Sequence, residues 1–390
     1  MTHTRHSPRT RQVRTDRPLR WHARASAVAL LCALGAAPAG ADIRTWDGGS
    51  PTVNWSDGGN WNGNTAIANH STLVFAGTKR LINTNDLPNL SVDGLSFAAG
   101  AGAFTLGGNG IYSHGNLDNL STFRQTLNLQ IDFMTDQTWN GGNAGIQMNA
   151  GLGWVNSNVL LAQQVFVKSL THVHHIGNSG TGALTLRGGS VVESGGATYL
   201  GWLAGSFGTL SVDGLGSRWV TGSAMAVGIS GGGTLNVLNG GQVSSTLSTL
   251  GYVAGSSGTA SVVGQGSQWQ AGTMNIGFHA SSGTLANSSG GTLDILNGGV
   301  VTADNATLGR YTGATGTVTV DGLDSLWQIS GDLDVGYAGN GTLKVLNRST
   351  VSSANGTLGS QSGGRGTATV EGAGSLWLNS GHLAVGNLGQ

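Results

Sequence analysis

Gly208-Thr209-Leu210-Ser211-Val212-Asp213-Gly214 returns 25 residues later as Gly233-Thr234-Leu235-Asn236-Val237-Leu238-Asn239, and once more as Gly258-Thr259-Ala260-Ser261-Val262-Val263-Gly264. From residue 182 onward the phrase occurs eight times: GALTLRG, GTLSVDG, GTLNVLN, GTASVVG, GTLDILN, GTVTVDG, GTLKVLN and GTATVEG. Its third residues are Leu184, Leu210, Leu235, Ala260, Leu293, Val318, Leu343 and Ala368, so the steps are 26, 25, 25, 33, 25, 25 and 25. A fixed period of this size marks a stacked repeat. The third and fifth residues of every copy are Leu, Ile, Val or Ala, and the residue between them is polar. Such alternation predicts a strand with one face in a core and one in water. The flanking Gly and Asn supply corners, because they tolerate left-handed backbone conformations.

Two further elements share the period. A hydrophobic-Gly pair recurs at Ile176-Gly177, Leu200-Gly201, Val227-Gly228, Leu250-Gly251, Ile276-Gly277, Leu308-Gly309, Val335-Gly336, Leu358-Gly359 and Val385-Gly386. Another position alternates between a GSxW-like motif ending at Trp219, Trp269, Trp327 and Trp377, and a VSS-like one, as at Val243-Ser244-Ser245 and Val351-Ser352-Ser353. Three short strands and three turns fit one coil. The expectation is an all-β, right-handed parallel β-helix of about 25 residues per coil, with two coils per repeat of about 50 residues. Helices are disfavoured by 69 glycines, each costing about 1 kcal/mol inside a helix. A propeller blade needs four strands in roughly 40–45 residues, which the half-period contradicts. Nine coils from residue 172 onward would rise roughly 40 Å.

The expected organisation has three parts: residues 1–41 as a signal peptide, 42–171 as an N-terminal cap with about five irregular coils, and 172–390 as regular repeats. Seven Arg precede an apolar run, Ala25–Ala37, and Ala39-Gly40-Ala41 offers an A-x-A cleavage site. The only cysteine, Cys32, lies in this leader behind Leu31, where a lipoprotein signal wants a small residue. The chain after residue 41 therefore has no cysteine and no disulfide. It keeps 11 of the 18 basic and 17 of the 18 acidic residues, a net charge of −6. That balance argues against nucleic acid as a partner. No later segment is apolar for long enough to cross a membrane as a helix.

The unit G-T-L-x-V-D-G-x-G-S-x-W, then V-G, then G-T-L-x-V-x-N-G-G resembles the repeat of type V autotransporter passengers and of some exosortase-sorted (PEP-CTERM-associated) proteins. The opening TWDGG…NWSDGGNW resembles the start of autotransporter passenger domains. The resemblance covers residues 182–390 closely and 42–170 loosely. It implies a secreted or surface-displayed β-helix of a Gram-negative bacterium, adhesin-like or a stalk, exported across the inner membrane by a Sec-type signal. It also implies a following outer-membrane barrel or a sorting helix. The sequence instead stops at Val385-Gly386-Asn387-Leu388-Gly389-Gln390, inside a repeat, so the expectation is a gene fragment or a truncated relic. The partners expected are host or bacterial surface glycans or proteins, or further copies of the chain.

Chemistry-bearing residues are sparse. Trp219, Trp269, Trp327 and Trp377 recur in every second coil, about 10 Å apart. They are the candidates for ligand contact, as a strip that stacks on sugar rings. The competing account, which the repeat itself favours, has each indole filling a corner over the smaller VSS coils. Asp213, Asp321 and Glu371 share one turn position and read as turn formers rather than Ca²⁺ ligands, since Ca²⁺ wants six to eight oxygens. Asp321, Asp324, Asp332 and Asp334 are the densest carboxylate group, and a carbohydrate-active β-helix enzyme, the alternative function, would need paired acids in a groove. His172, His174 and His175 lack companion ligands for zinc. No catalytic, cofactor or metal residue is assigned, and the chain is read as a non-enzyme. An eight-residue insertion around His279–Ser289 is the one break in the period, and such a bulge carries recognition or drifts as a plain loop.

Overall fold

The computed structural model describes residues 42–150, 158–169, 173–279 and 288–389. They form an all-β parallel solenoid of about 13 turns, with roughly 25 residues per turn. Two walls run its length, and a third joins them from His174 onward. The first is a sheet of 16 strands, two of them (Ile111–Ser113 and Ile131–Phe133) in a side branch; the second has 13 strands and the third nine. Every strand pairs in parallel with its equivalent one coil away.

The repeated phrase builds the first wall. Its strands, from Thr181–Arg187 through Arg365–Glu371, stack in one unbroken register that aligns Leu184, Leu210, Leu235, Ala260, Leu293, Val318, Leu343 and Ala368. In the first seven copies the third and fifth residues are buried, as the alternation predicts. Each such aliphatic side chain contributes about 1.5–3 kcal/mol of burial. The eighth copy lies on the last coil, where no strand covers its second edge, and Val370 is exposed. The 33-residue step leaves no mark on this wall: Ala260 pairs Leu293 without a bulge. The insertion leaves the coil between Ile276 and Gly290, and its residues 280–287 lie outside those described.

The third wall ends on the hydrophobic-Gly pairs. Leu200 is buried, and Gly201 turns the chain at a φ of +67°. A Cβ on Gly201 would stand 1.9 Å from the carbonyl oxygen of Gly232 in the next coil, so both conformation and space demand glycine there.

At the N-terminal end, Trp46, Trp55, Trp61 and Phe75 close the first coil. All four are fully buried, and their ring centroids lie 5.1–6.2 Å apart. Their indole N–H groups donate to Lys79 O, Asn83 Oδ1 and Trp55 O respectively. Asp57 caps a short 3-10 turn over Gly58–Asn60. The Ser50 and Thr52 hydroxyls and the Gly59 N–H all donate to its carboxylate, which holds its pKa below the usual value.

Candidate functional site

The second wall explains the two-coil period. Along one inward column the register reads Val192, Trp219, Val243, Trp269, Val301, Trp327, Val351, Trp377. Trp219, Trp269 and Trp327 each thus lie between valines of the coils on either side, Trp377 lies over Val351, and large and small side chains interdigitate. Trp219, Trp269 and Trp327 are at most 1% exposed, and Trp377, on the last coil, is half-buried against the core. No face of the first three indoles meets solvent. The structure therefore corrects the sugar-stacking reading for them: stacking needs an open ring face, and theirs are packed.

The rest of the GSxW motif is a corner. Gly216, Gly266 and Gly374 turn at φ of +79° to +83°, and Asp324 takes the same place at +64°. The serine hydroxyls of Ser267 and Ser325 accept the N–H of Gly240 and Gly298 in the preceding coil and donate to Val263 O and Asp321 O of their own turn. Asp213 and Asp321 accept the side-chain N–H of Asn239 and Asn347 one coil on, and Asp213 also pairs with Arg187 at 2.9 Å. These carboxylates serve the turns.

The four-carboxylate group is split between corners. Asp321 and Asp324 belong to the turn after the first wall, whereas Asp332 and Asp334 lie on the third wall. Among the described residues no group of three or more His, Cys, Asp or Glu is placed to hold a metal ion. His172 falls outside those residues. His174 packs edge-on against Trp219, and His175 against Tyr199 and Trp202.

A concavity lies on the outer face of the second wall. Two adjoining hollows, of about 240 and 410 Å³, share Gln270 and Thr302 in their lining. Outward columns of the strands Arg218–Thr221, Gln242–Ser244, Gln268–Gln270, Val300–Ala303 and Leu326–Ile329 form the walls. One column runs Arg218, Gln242, Gln268, Val300, and the other Val220, Ser244, Gln270, Thr302, Gln328. Short side chains at Val300 and Thr302, beside longer glutamines, make the depression. Gln242, Gln268, Gln270 and Gln328 are exposed, and their amides have no hydrogen-bond partner among the described residues. Arg218 is neutralised by Glu193. Asp304 is the single carboxylate in the lining.

No family model, curated protein or solved structure matches this chain. The trough must therefore be read from its own chemistry. Its residues carried a faint sequence signal, because Gln268-Trp269-Gln270 places amides on both sides of an inward residue.

A second surface feature follows the third wall. Tyr252, Phe278, Arg310 and Tyr337 each succeed the glycine of a hydrophobic-Gly pair. Tyr252 and Phe278 stack at 5.1 Å with 3° between planes, and the Arg310 guanidinium lies 5.8–5.9 Å from the rings of Phe278, Tyr311 and Tyr337. The arginine takes one place in a row of flat groups, as a planar guanidinium can. Beneath it, Asn275 accepts from Arg310 Nη1 at 3.4 Å. Burial pushes the pKa of the nearby Asp334 up; the Ser360 hydroxyl opposes this, Asp332 adds to it and Arg310 counters it. Tyr252 stacks on Phe278, Tyr311 meets Phe278 edge-on at 5.2 Å and Arg310 reaches on to Tyr337, so this row acts first as a clasp between coils, on both sides of the insertion.

Proposed function

We propose that the chain is an exported, non-catalytic β-helical passenger that displays its walls at the cell surface, as an adhesin-like scaffold or stalk. One observation carries this reading: the concavity on the second wall is lined by amides, hydroxyls and valines, with Asp304 its single carboxylate. Glycoside hydrolysis needs two carboxyl groups about 5–9.5 Å apart across the scissile bond. A trough with one acid suits holding better than cutting. The unbroken parallel ladders favour a stiff display element, since each coil is fixed by its neighbours. Among the described residues no helix is long and apolar enough to cross a membrane.

Export belongs to the same proposal and rests on the leader over residues 1–41 and on the autotransporter-like and PEP-CTERM-like repeat unit. Expressed with its leader in a Gram-negative host, the chain should be recovered outside the cytoplasm, shortened to start near Asp42. Retention of the full-length form in the cytoplasm would sink the export part. The same preparation, incubated with a panel of polysaccharides, should release no new reducing or unsaturated ends. Turnover of any of them would replace the display reading with a carbohydrate-active β-helix enzyme.

A further inference from the structure

We infer that the trough on the second wall binds a neutral, linear polysaccharide laid along the solenoid axis, an inference that rests on the display reading above. Four unpaired amides converge on it: Gln242, Gln268, Gln270 and Gln328. A primary amide both donates and accepts. That matches a sugar hydroxyl, which also does both, whereas a phosphate or an ammonium uses only one half of the amide. With Arg218 paired to Glu193, Asp304 alone keeps an unpaired charge, so the lining selects for neither a polyanion nor a polycation.

The shape points the same way. Each hollow spans four successive coils and the two lie side by side on the wall, which suits a polymer more than a small molecule, because small ligands are mostly enclosed. Polar groups face outward on successive coils, about 4.8 Å apart along the axis: Ser244, Gln270, Thr302 and Gln328 in one column, Gln242 and Gln268 in the other. A polymer with a short, regular repeat can meet the same kind of partner at successive coils. Val220 and Val300 stand within the two columns, one in each, and offer apolar contact to the C–H faces of pyranose rings. A strand-forming peptide finds no purchase here. The strands Gln242–Ser244, Gln268–Gln270 and Val300–Ala303 are paired on both sides, so no sheet edge is open to receive one.

The test is affinity electrophoresis of the full exported chain through gels containing glucomannan, mixed-linkage β-glucan or xylan, with polygalacturonate and hyaluronate as acidic counterparts. At least one neutral polymer should retard the chain, and added salt should leave that retardation unchanged. Gln268→Ala/Gln270→Ala should weaken it by at least about tenfold, the loss of about one good hydrogen bond's free energy. Thr302→Trp, which fills the shared floor and spares every amide, should weaken it as well. Arg310→Ala, on another wall, should not. Each glutamine is exposed, so the variants should keep the β-sheet circular dichroism of the parent. Retardation by acidic polymers alone, equal retardation of the parent and the double variant, or no retardation by any neutral polymer would each overturn the inference. A correctly exported, folded chain that fails here would still leave the display reading standing, whereas failure of export strikes that reading alone.

Discussion

Replacing Ala303 by serine should stabilise the coils around Trp327, because that indole is the one of the four left without a partner. Trp269 Nε1 donates to Ser245 Oγ at 3.3 Å, and Trp377 Nε1 donates to Ser353 Oγ at 3.4 Å. Both acceptors stand two residues beyond the valine of the preceding coil. Trp219 uses Thr198 Oγ1 instead, at 3.1 Å. In the coil below Trp327 the equivalent position is Ala303, and the buried Nε1 of Trp327 finds no acceptor. An unsatisfied buried donor costs about 1–3 kcal/mol, and a hydrogen bond that satisfies it returns about 0.5–1.5 kcal/mol.

The lower half of that range is expected for Ala303→Ser alone. Ser245 is itself supported, since its hydroxyl bonds Ser248 Oγ at 2.7 Å and Ser248 donates to Ala271 O. The residue equivalent to Ser248 in the coil of Ala303 is Ala306, and Ala303 pairs across the wall with Ile329. A lone serine at 303 would therefore gain one bond and leave its own proton poorly placed. Ala303→Ser/Ala306→Ser rebuilds the whole arrangement and should reach the upper half. Repeat arrays do not unfold in one step, so a local probe is needed. Amide hydrogen exchange over the strands Val300–Ala303 and Leu326–Ile329 should slow by about twofold for the single variant and by up to about tenfold for the double. Ser245→Ala should do the reverse around Trp269. If the double variant exchanges no more slowly than the parent, the orphaned indole is not a local weakness and the argument fails.

Trp269→Ala should cost about 3–5 kcal/mol by opening a cavity between Val243 and Val301, read as much faster amide exchange in the strands Gln242–Ser244, Gln268–Gln270 and Val300–Ala303; unchanged exchange there would mean the indole is not core. Arg310→Lys keeps the charge and loses the plate, so it should forfeit most of a stacking contribution of about 0.5–2 kcal/mol, measured as faster exchange in the strands Thr273–Ile276 and Asp332–Val335. Equal behaviour of Arg310→Lys and the parent would reduce the row to simple charge. For Asp334, whose folded pKa is raised, the native state binds the proton more tightly than the unfolded chain. Its stabilising effect is therefore full below the unfolded value near 3.8 and is lost as pH rises through the folded value. Asp334→Asn should accordingly gain stability over the parent near neutral pH and not at about pH 3, with amide exchange in the strand Asp332–Val335, variant against parent at each pH, as the check.

The sequence carried the architecture because inward positions answer to one demand, repeated at every coil. A residue that packs against its own equivalents one coil away is constrained twice, so the phrase, the hydrophobic-Gly pair and the GSxW corner all surfaced as motifs. The same constraint made the tryptophans conspicuous, and it is the packing account, not sugar stacking, that fits them: regularity in a solenoid reports packing, and Trp219, Trp269 and Trp327 are regular because valines sandwich them. Outward positions answer to no such demand. Their column across the second wall runs Arg218, Gln242, Gln268, Val300, Leu326, Thr350, Leu376, with no pattern for a periodicity search to find. What sets the trough apart is a coincidence across coils, amides at 242, 268, 270 and 328 around short residues at 300 and 302, and that coincidence appears only once the register is known. The flat-group row was nearer to legible, since Tyr252, Phe278 and Tyr337 all follow the recurring glycine, but Arg310 breaks the chemical type while keeping the planar shape. In a chain whose repeats fix the inside, recognition must be sought where outward neighbours on successive coils depart together from the repeat, and the second wall between Gln242 and Gln328 is such a place.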